Sequence, residues 1–317
     1  MILLITACSP SIDLSNRIGF GLSSKADPEF WAGELGAQWF FDWGTKDVRQ
    51  SSKLEYWQTI RVNQGGYSPS EEKITSIASN HKGYTWIIGN EPDNILQDNT
   101  TPEQYAQIYH DLYWMIKSKD RTAKIAIAAV SQPTPARLFY LDEVLKSYQN
   151  LYNEKLPVDW WNIHAYVLRE ELDSWGAGLP VGDLMEQGEL YEIDQHDNIE
   201  IFQQNLIDFR TWMKANNYQD VPLVVTEYGI LLPEEHGFSQ EKVASYLNRT
   251  SEWMLFYQDQ QIGYPADNYR LVQKFAWFSL SDPYFPIANL ANLDLKTLTP
   301  VGAAFKTFIQ QNNLSQK

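Results

Sequence analysis

Eight short apolar runs, separated by segments of helical periodicity, constrain the fold of this chain more than any other feature. They lie at 17–22 (RIGFGL), 37–43 (AQWFFDW), 56–63 (YWQTIRVN), 84–90 (YTWIIGN), 124–130 (KIAIAAV), 159–167 (DWWNIHAYV), 222–229 (PLVVTEYG) and 273–280 (QKFAWFSL). Several are almost continuously apolar, as parallel strands are when helices cover them. Between them, Thr101, Pro102 and Gln104 read as an N-cap, a first-position proline and a capping-box partner. Tyr105, Ile108, Tyr109, Leu112 and Ile116 then recur at helical spacing. Residues 70–80, 137–151, 198–216 and 239–259 read as further helices, with Ser239 as the N-cap of the last. Strand and helix alternating over eight strands predict an α/β chain folded as one (β/α)8 TIM barrel, spanning 16–317. The competing doubly wound open sheet would carry a glycine-rich phosphate loop after an early strand, and GFGLSS is not that fingerprint. The long polar connection 169–197, broken at Gly176, Gly178, Pro180 and Gly182, follows the sixth strand and is expected to overhang the barrel mouth.

Composition narrows the partners. With 25 Lys plus Arg against 40 Asp plus Glu, the net charge is −15, a surface that repels nucleic acid. Twelve Trp and 18 Tyr supply core, Trp114, Trp212 and Trp253 among them, and leave rings to stack on a ligand. The one cysteine, Cys8, excludes an intrachain disulfide, and no run of about 18 apolar residues exists to span a membrane. Residues 1–15 are set apart as an N-terminal segment. Its ITAC, ending at Cys8, resembles the lipobox of bacterial lipoproteins, although the charged n-region is missing and the apolar stretch is short. That resemblance implies a lipid anchor at Cys8 and an extracytoplasmic or cell-surface location; without it the chain would be cytoplasmic. No cofactor or metal is expected. The five His form no HExxH pair, DNILQDN lacks the glycine and final glutamate of a calcium loop, and no GxSxG is present.

Two of the apolar runs end in a carboxylate. In YTWIIGNEPDN the run reaches Gly89 and then Asn90, Glu91 and Pro92. A residue before proline is pushed toward extended backbone, and proline cannot continue a ladder. Glu91 is therefore expected to be extended at a strand end, pointing into the mouth. VPLVVTEYG repeats the pattern with Glu227, which is 227 − 91 = 136 residues further on. Taken singly, Glu91 reads equally as a turn carboxylate and Glu227 as a salt-bridged strand end. Together they match what glycoside cleavage requires, one protonated carboxyl and one ionised carboxylate flanking a bond.

NEPD after the fourth strand and TEYG after the seventh resemble the signature of the clan A glycoside hydrolases, which are retaining (β/α)8 enzymes. The resemblance covers nearly the whole barrel and implies Glu91 as general acid/base, Glu227 as nucleophile and Asn90 as a contact to the sugar 2-hydroxyl. IHAY on the sixth strand supplies His164 and Tyr166, similar to the clan's substrate-binding and nucleophile-orienting pair. AWFS on the eighth supplies Trp277, similar to the aromatic floor beneath the sugar, with a cis peptide expected at Trp277–Phe278. WFFDWG, NEPD, IHAY and TEYG together resemble the endo-β-1,3-glucanases of family 128, with Asp42 standing where that family more often has Asn. The same clan also holds families acting on xylosides and mannans. Trp43 is a substrate-binding candidate as well as a core candidate. Trp175 reads as a subsite wall or a loop anchor, and Arg61 and Gln132 as residues of the mouth. The function implied is retaining hydrolysis of a β-glycan, most simply a β-glucan, by a monomer acting on an oligo- or polysaccharide. The carboxyl groups are then expected roughly 5–5.5 Å apart. A transglycosylase on the same scaffold and a non-catalytic surface carbohydrate-binding lipoprotein are the alternatives.

Overall fold

A computed structural model of the protein, described for residues 14–22, 25–48, 53–182 and 186–312, places eight parallel strands around a barrel. In chain order these are β1 (Ile18–Gly21), β2 (Trp39–Phe41), β3 (Glu55–Asn63), β5 (Thr85–Ile88), β6 (Lys124–Ile127), β7 (Trp161–His164), β8 (Leu223–Glu227) and β9 (Lys274–Trp277). The extra strand, β4 (Gly66–Ser68), folds back antiparallel on the long β3 as a hairpin. Continuous pairing runs from β6 through β5, β3, β2, β1, β9 and β8 to β7. A parallel bridge, Ala126 to Trp160, completes the circle between β6 and β7. The expected barrel is therefore present, each apolar run contains its strand except that β3 begins one residue before its run, at Glu55, and Cys8 lies outside the described residues.

Helices α1 (Pro28–Leu35), α2 (Glu71–Asn80), α3 (Pro102–Lys119), α4 (Pro135–Tyr152), α5 (Ile199–Ala215), α6 (Gln240–Phe256) and α7 (Pro300–Gln311) surround the strands. Their starts follow from local chemistry. Thr101 and Gln104 form the expected capping box, and Ser239 accepts from the Lys242 N–H. α1 and α7 begin with the same kind of signal, Asp27–Pro28 and Thr299–Pro300, though neither helix was expected. No helix separates β2 from β3 among the described residues. None of the described helices is long and apolar enough to cross a membrane.

The strands divide their side chains between two cores. Trp39, Phe41, Trp57, Ile87, Ala126, Val224 and Ala276 fill the barrel interior. The opposite faces pack against the helices in one larger cluster. At the amino-terminal end of the barrel, Lys274 Nζ lies 2.7 Å from Glu55 Oε2, over the rings of Trp39 and Trp57. The carboxyl-terminal end is open, and there stand Glu227, the last residue of β8, and Glu91, in the loop after β5.

Candidate active site

Glu227 reaches the mouth because β8 is irregular. Val224 points inward, so strict alternation would turn Glu227 out toward the helices. Between Ile163 and His164 of β7, however, the register to β8 slips by one residue, pairing His164 with Glu227. The extra residue, Thr226, donates its hydroxyl to Asn162 inside the barrel at 2.9 Å. Glu227 is thereby brought beside His164.

Glu91 arrives by a different route from the one expected. β5 ends at Ile88, and Glu91 has φ +48°, in the left-handed region rather than extended. The influence of Pro92 is overridden by hydrogen bonds on every side. Glu91 N–H donates to Ala129 O at 3.0 Å, Glu91 O accepts from Asn94 N–H at 3.1 Å, and Asn90 N–H donates to Asp98 Oδ2 at 2.7 Å. Gly89, at φ +96°, starts the turn, and a Cβ there would stand 3.0 Å from that of Ala128. Backbone held in so sparse a region costs on the order of 1–3 kcal/mol and concentrates at functional sites.

The two carboxylates meet at His164. Its Nδ1 is 2.7 Å from Glu91 Oε1 and its Nε2 is 3.3 Å from Glu227 Oε1. One oxygen of Glu91, one nitrogen of His164 and one oxygen of Glu227 all lie within 4.8 Å of one another. Such a donor set is also spaced as metal ligands are. Both imidazole nitrogens already face a carboxylate, though, which suits a shared proton better than an ion. Further donors fix each carboxylate. Asn94 Nδ2 donates to Glu91 Oε2 at 2.8 Å. Trp43 Nε1 donates to Glu227 Oε1 at 2.6 Å and Tyr166 OH to Glu227 Oε2 at 3.0 Å. Trp43 is itself at φ +56°, and its indole passes so close to β1 that a Cβ on Gly21 would lie 2.6 Å from Cη2.

Burial and neighbours set the titrations. Burial alone would depress His164, but the Glu227 charge, with the Glu91 hydrogen bond and charge, raises its pKa above the ordinary imidazole value. For Glu91, burial pushes upward and is outweighed by His164, Asn94 and Ser131, so its carboxyl lies below the ordinary range. For Glu227, burial together with the Glu91 charge wins over His164, Trp43 and Tyr166, and its carboxyl lies above it. Burial and the Glu227 charge hold the Tyr166 hydroxyl protonated, as a permanent donor.

Above this trio is a cleft of about 390 Å³, lined by Trp43, Arg61, Asn90, Glu91, Tyr166, Glu227 and Phe278 among others. The candidates Glu91, Glu227, Asn90, Tyr166 and Trp43 thus share one cavity, and His164 lies beneath it, 1 % exposed. Trp277 does not belong to it. Ala276 points into the barrel, so the next residue points out. Trp277 is fully buried against Tyr228 with its indole N–H on Ala288 O. Phe278 occupies the mouth in its place, in edge contact with Trp43 and Tyr166, and the non-proline cis peptide follows Phe278, at Phe278–Ser279. Asp42 accepts from the Tyr56 hydroxyl and pairs with Lys46, off the cleft. Gln132 is buried, clamping the Leu168 backbone through both amide atoms, and Trp175 packs beside His196 as a loop anchor.

Several site residues escaped the sequence reading. Asn94 and Ser131 are ordinary loop polars by composition. Arg137 is fully buried, pairing with Asp93 and with Glu170 and donating to Ala177 O and Gly178 O. It thereby fixes both the Glu91 loop and the long connection after β7. The only sequence hint was an arginine in the first turn of an otherwise apolar helix face.

Comparison with known proteins follows the same line. The profile of the glycosyl hydrolase catalytic core family matches residues 19–179. No curated protein sequence matches the chain. Among solved structures, an endo-β-1,3-glucanase of glycoside hydrolase family 128 (subgroup II) from Sorangium cellulosum superposes with a TM-score of 0.60 at 18% identity, covering 92% of this chain and 98% of that one. A curdlan-specific exo-β-1,3-glucanase (subgroup III) from Blastomyces gilchristii, in complex with glucose, gives 0.61 at 17% identity, covering 93% and 100%. An endo-β-1,3-glucanase (subgroup I) from Amycolatopsis mediterranei, in complex with laminaritriose, gives 0.58 at 16%, covering 92% and 99%. Likeness at these identities concerns the fold.

Proposed function

Because this chain belongs to the glycosyl hydrolase catalytic core family, we propose that it hydrolyses a β-glucan with retention, Glu91 serving as acid/base and Glu227 as nucleophile. The observation that carries the reading is the approach of the two carboxylates, within 4.8 Å through one oxygen each and joined by His164. Inverting enzymes leave roughly 6.5–9.5 Å between the groups to admit a water, whereas retaining ones leave roughly 5–5.5 Å. A β-1,3 linkage is the first choice, since structural neighbours from three organisms act on β-1,3-glucans.

The trio accounts for the proton. An imidazolium between two carboxylates, and a neutral imidazole with Glu91 protonated, hold the same number of protons and differ by one transfer along the 2.7 Å contact. The upward titration of His164 favours the first arrangement at rest, with Glu91 ionised. Transfer from Nδ1 to Glu91 Oε1 creates the acid and leaves a neutral imidazole whose Nε2 stands 3.3 Å from Glu227 Oε1. Glu227 then attacks the anomeric carbon as the glycosidic C–O bond breaks, and the leaving oxygen takes the Glu91 proton. Trp43 and Tyr166 hold the two Glu227 oxygens in place, and Asn90 is positioned at the cleft wall for the 2-hydroxyl. In the ester, Glu227 has lost its charge, which lowers the Glu91 pKa toward that of a base. Water attacks the anomeric carbon, the C–O bond to Glu227 breaks, and Glu91 takes the water proton.

The deciding experiment offers β-1,3-, β-1,4- and mixed-linkage glucans, xylans and mannans, and reads the anomer first released by NMR. A β-anomer from a β-1,3-glucan is expected, and an α-anomer would refute retention. Glu227→Gln is expected to lose at least roughly a thousandfold in kcat. The lipid anchor at Cys8 and a surface location rest on ITAC alone, and metabolic labelling with a fatty acid tests them.

A further inference from the structure

One part of the cleft has no role in the chemistry above. Asp282, Tyr284 and Phe285, in the loop after β9, line the same cavity as the two glutamates. Tyr284 is 84 % exposed and Phe285 37 %. Asp282 Oδ1 accepts from the Tyr284 and Phe285 N–H groups at 2.8 and 3.0 Å. Buried Asn289 then clamps Asp282, its Oδ1 accepting from Asp282 N–H at 2.7 Å and its Nδ2 donating to Asp282 O at 3.0 Å. The backbone that carries the rings is therefore held by these four hydrogen bonds in the free protein, so little main-chain freedom remains to be lost when something covers them.

Their position selects the occupant. Ring centroids step from Trp43 to Phe278 over 5.7 Å and from Phe278 to Phe285 over 6.1 Å. Trp43 holds Glu227, so the aromatic row leads outward from the nucleophile. The wall around Glu91 is of another kind, made by Asn94, Leu96 and Gln97 with Arg61 beside them. The sugar that becomes bonded to Glu227 is the glycone, and a row of rings departing from that carboxylate follows the glycone away from the cleavage point. Pyranose rings offer apolar C–H faces that stack on aromatic rings.

We propose that Tyr284, supported by Phe285, is a stacking wall for a glycone sugar beyond the one transferred, making the enzyme selective for oligomers over single glycosides. The proposal rests on the retaining β-glucanase reading. The test measures kcat/KM for p-nitrophenyl β-glycosides carrying one, two and three β-1,3-linked glucosyl units, for wild type, Tyr284→Ala and Tyr284→Phe. The leaving group is constant, so only the glycone varies. For Tyr284→Ala the expected result is no change on the monoglucoside and a loss of roughly three- to tenfold that sets in as the glycone lengthens, with Tyr284→Phe close to wild type. A loss equal at every length, no loss at any length, or a loss seen only with added sugar acceptors would overturn it. Wild-type inertness toward the whole series would overturn the proposal, and inertness toward the glucan panel as well would remove the β-glucanase reading with it. Wild-type turnover with Tyr284→Ala indifferent to glycone length would remove the proposal alone.

Discussion

Arg137→Met is the substitution whose cost can be reasoned most directly from the structure. The Arg137 side chain and its partners Asp93 and Glu170 are each 0 % exposed. Methionine keeps the unbranched stem and removes the charge, leaving two buried carboxylates and the carbonyls of Ala177 and Gly178 without their donor. Breaking one side of a buried ion pair costs about 3–5 kcal/mol. At about 2.1 cal/mol/K per residue, a chain of 317 residues should then lose about 4.5–7.5 °C in Tm. Two directions within the network are opposed. Burial raises the Asp93 carboxyl more than Arg137 lowers it, while Arg137 itself is pushed up by Asp93, Glu170 and Glu91 in spite of its own burial. A guanidinium stays charged in either case, so Asp93 carries the titration. With Arg137 gone, the folded-state pKa of Asp93 rises further above its unfolded value. A group raised on folding contributes most below its unfolded pKa and loses that contribution as pH rises through the folded one. The deficit of the variant should therefore be largest at neutral pH and narrow on acidification toward pH 5. Urea unfolding at a series of pH values measures this. A deficit under about 1 kcal/mol at pH 7, the range of exposed pairs, or one that does not respond to pH would refute the argument.

Two further expectations follow from the site. His164→Gln removes one of the two places, His164 and Glu91, between which the shared proton moves. The alkaline limb of the kcat/KM profile should move to lower pH by about one unit or more, and an unmoved limb would show that His164 does not hold that proton. Exchanging Trp277 and Phe278 in turn separates core from cleft. Trp277→Ala should cost about 3–5 kcal/mol of stability with little change in kcat/KM of the folded enzyme. Phe278→Ala should do the reverse, as read by thermal unfolding beside initial-rate kinetics.

The barrel was legible because it is written in period and spacing. Eight apolar runs and the Thr101 capping box are local signals, and each survives folding intact. The carboxylate pair was legible for a similar reason, since an apolar run leads into each at the mouth of the barrel, Glu227 as the last residue of β8 and Glu91 three residues past the end of β5. What failed were features fixed by neighbours distant in sequence. The slip between β7 and β8 that delivers Glu227 has no mark in TEYG itself. The left-handed turn at Glu91 is set by Ala129 and Asp98, against the local preference that Pro92 imposes. AWFS offered two adjacent aromatics, and choosing Trp277 over Phe278 was a choice of strand face that only the inward placement of Ala276 decides. α1 and α7 carried a cap residue followed by proline, as α3 did, but α1 has only eight residues, too few for a periodic pattern to stand out.

Gly21 has a consequence for how this enzyme can change. It contributes no functional group, yet the indole that holds Glu227 occupies the volume where its side chain would be. Any larger residue at 21 displaces Trp43 before it touches the carboxylate. The two positions are therefore historically ordered: enlargement at 21 can be accepted only after Trp43 has been reduced, and by then the indole donor to Glu227 is gone. A lineage that keeps the donor is confined to glycine on β1, and a directed-evolution library that varies either position alone will find one of them immovable.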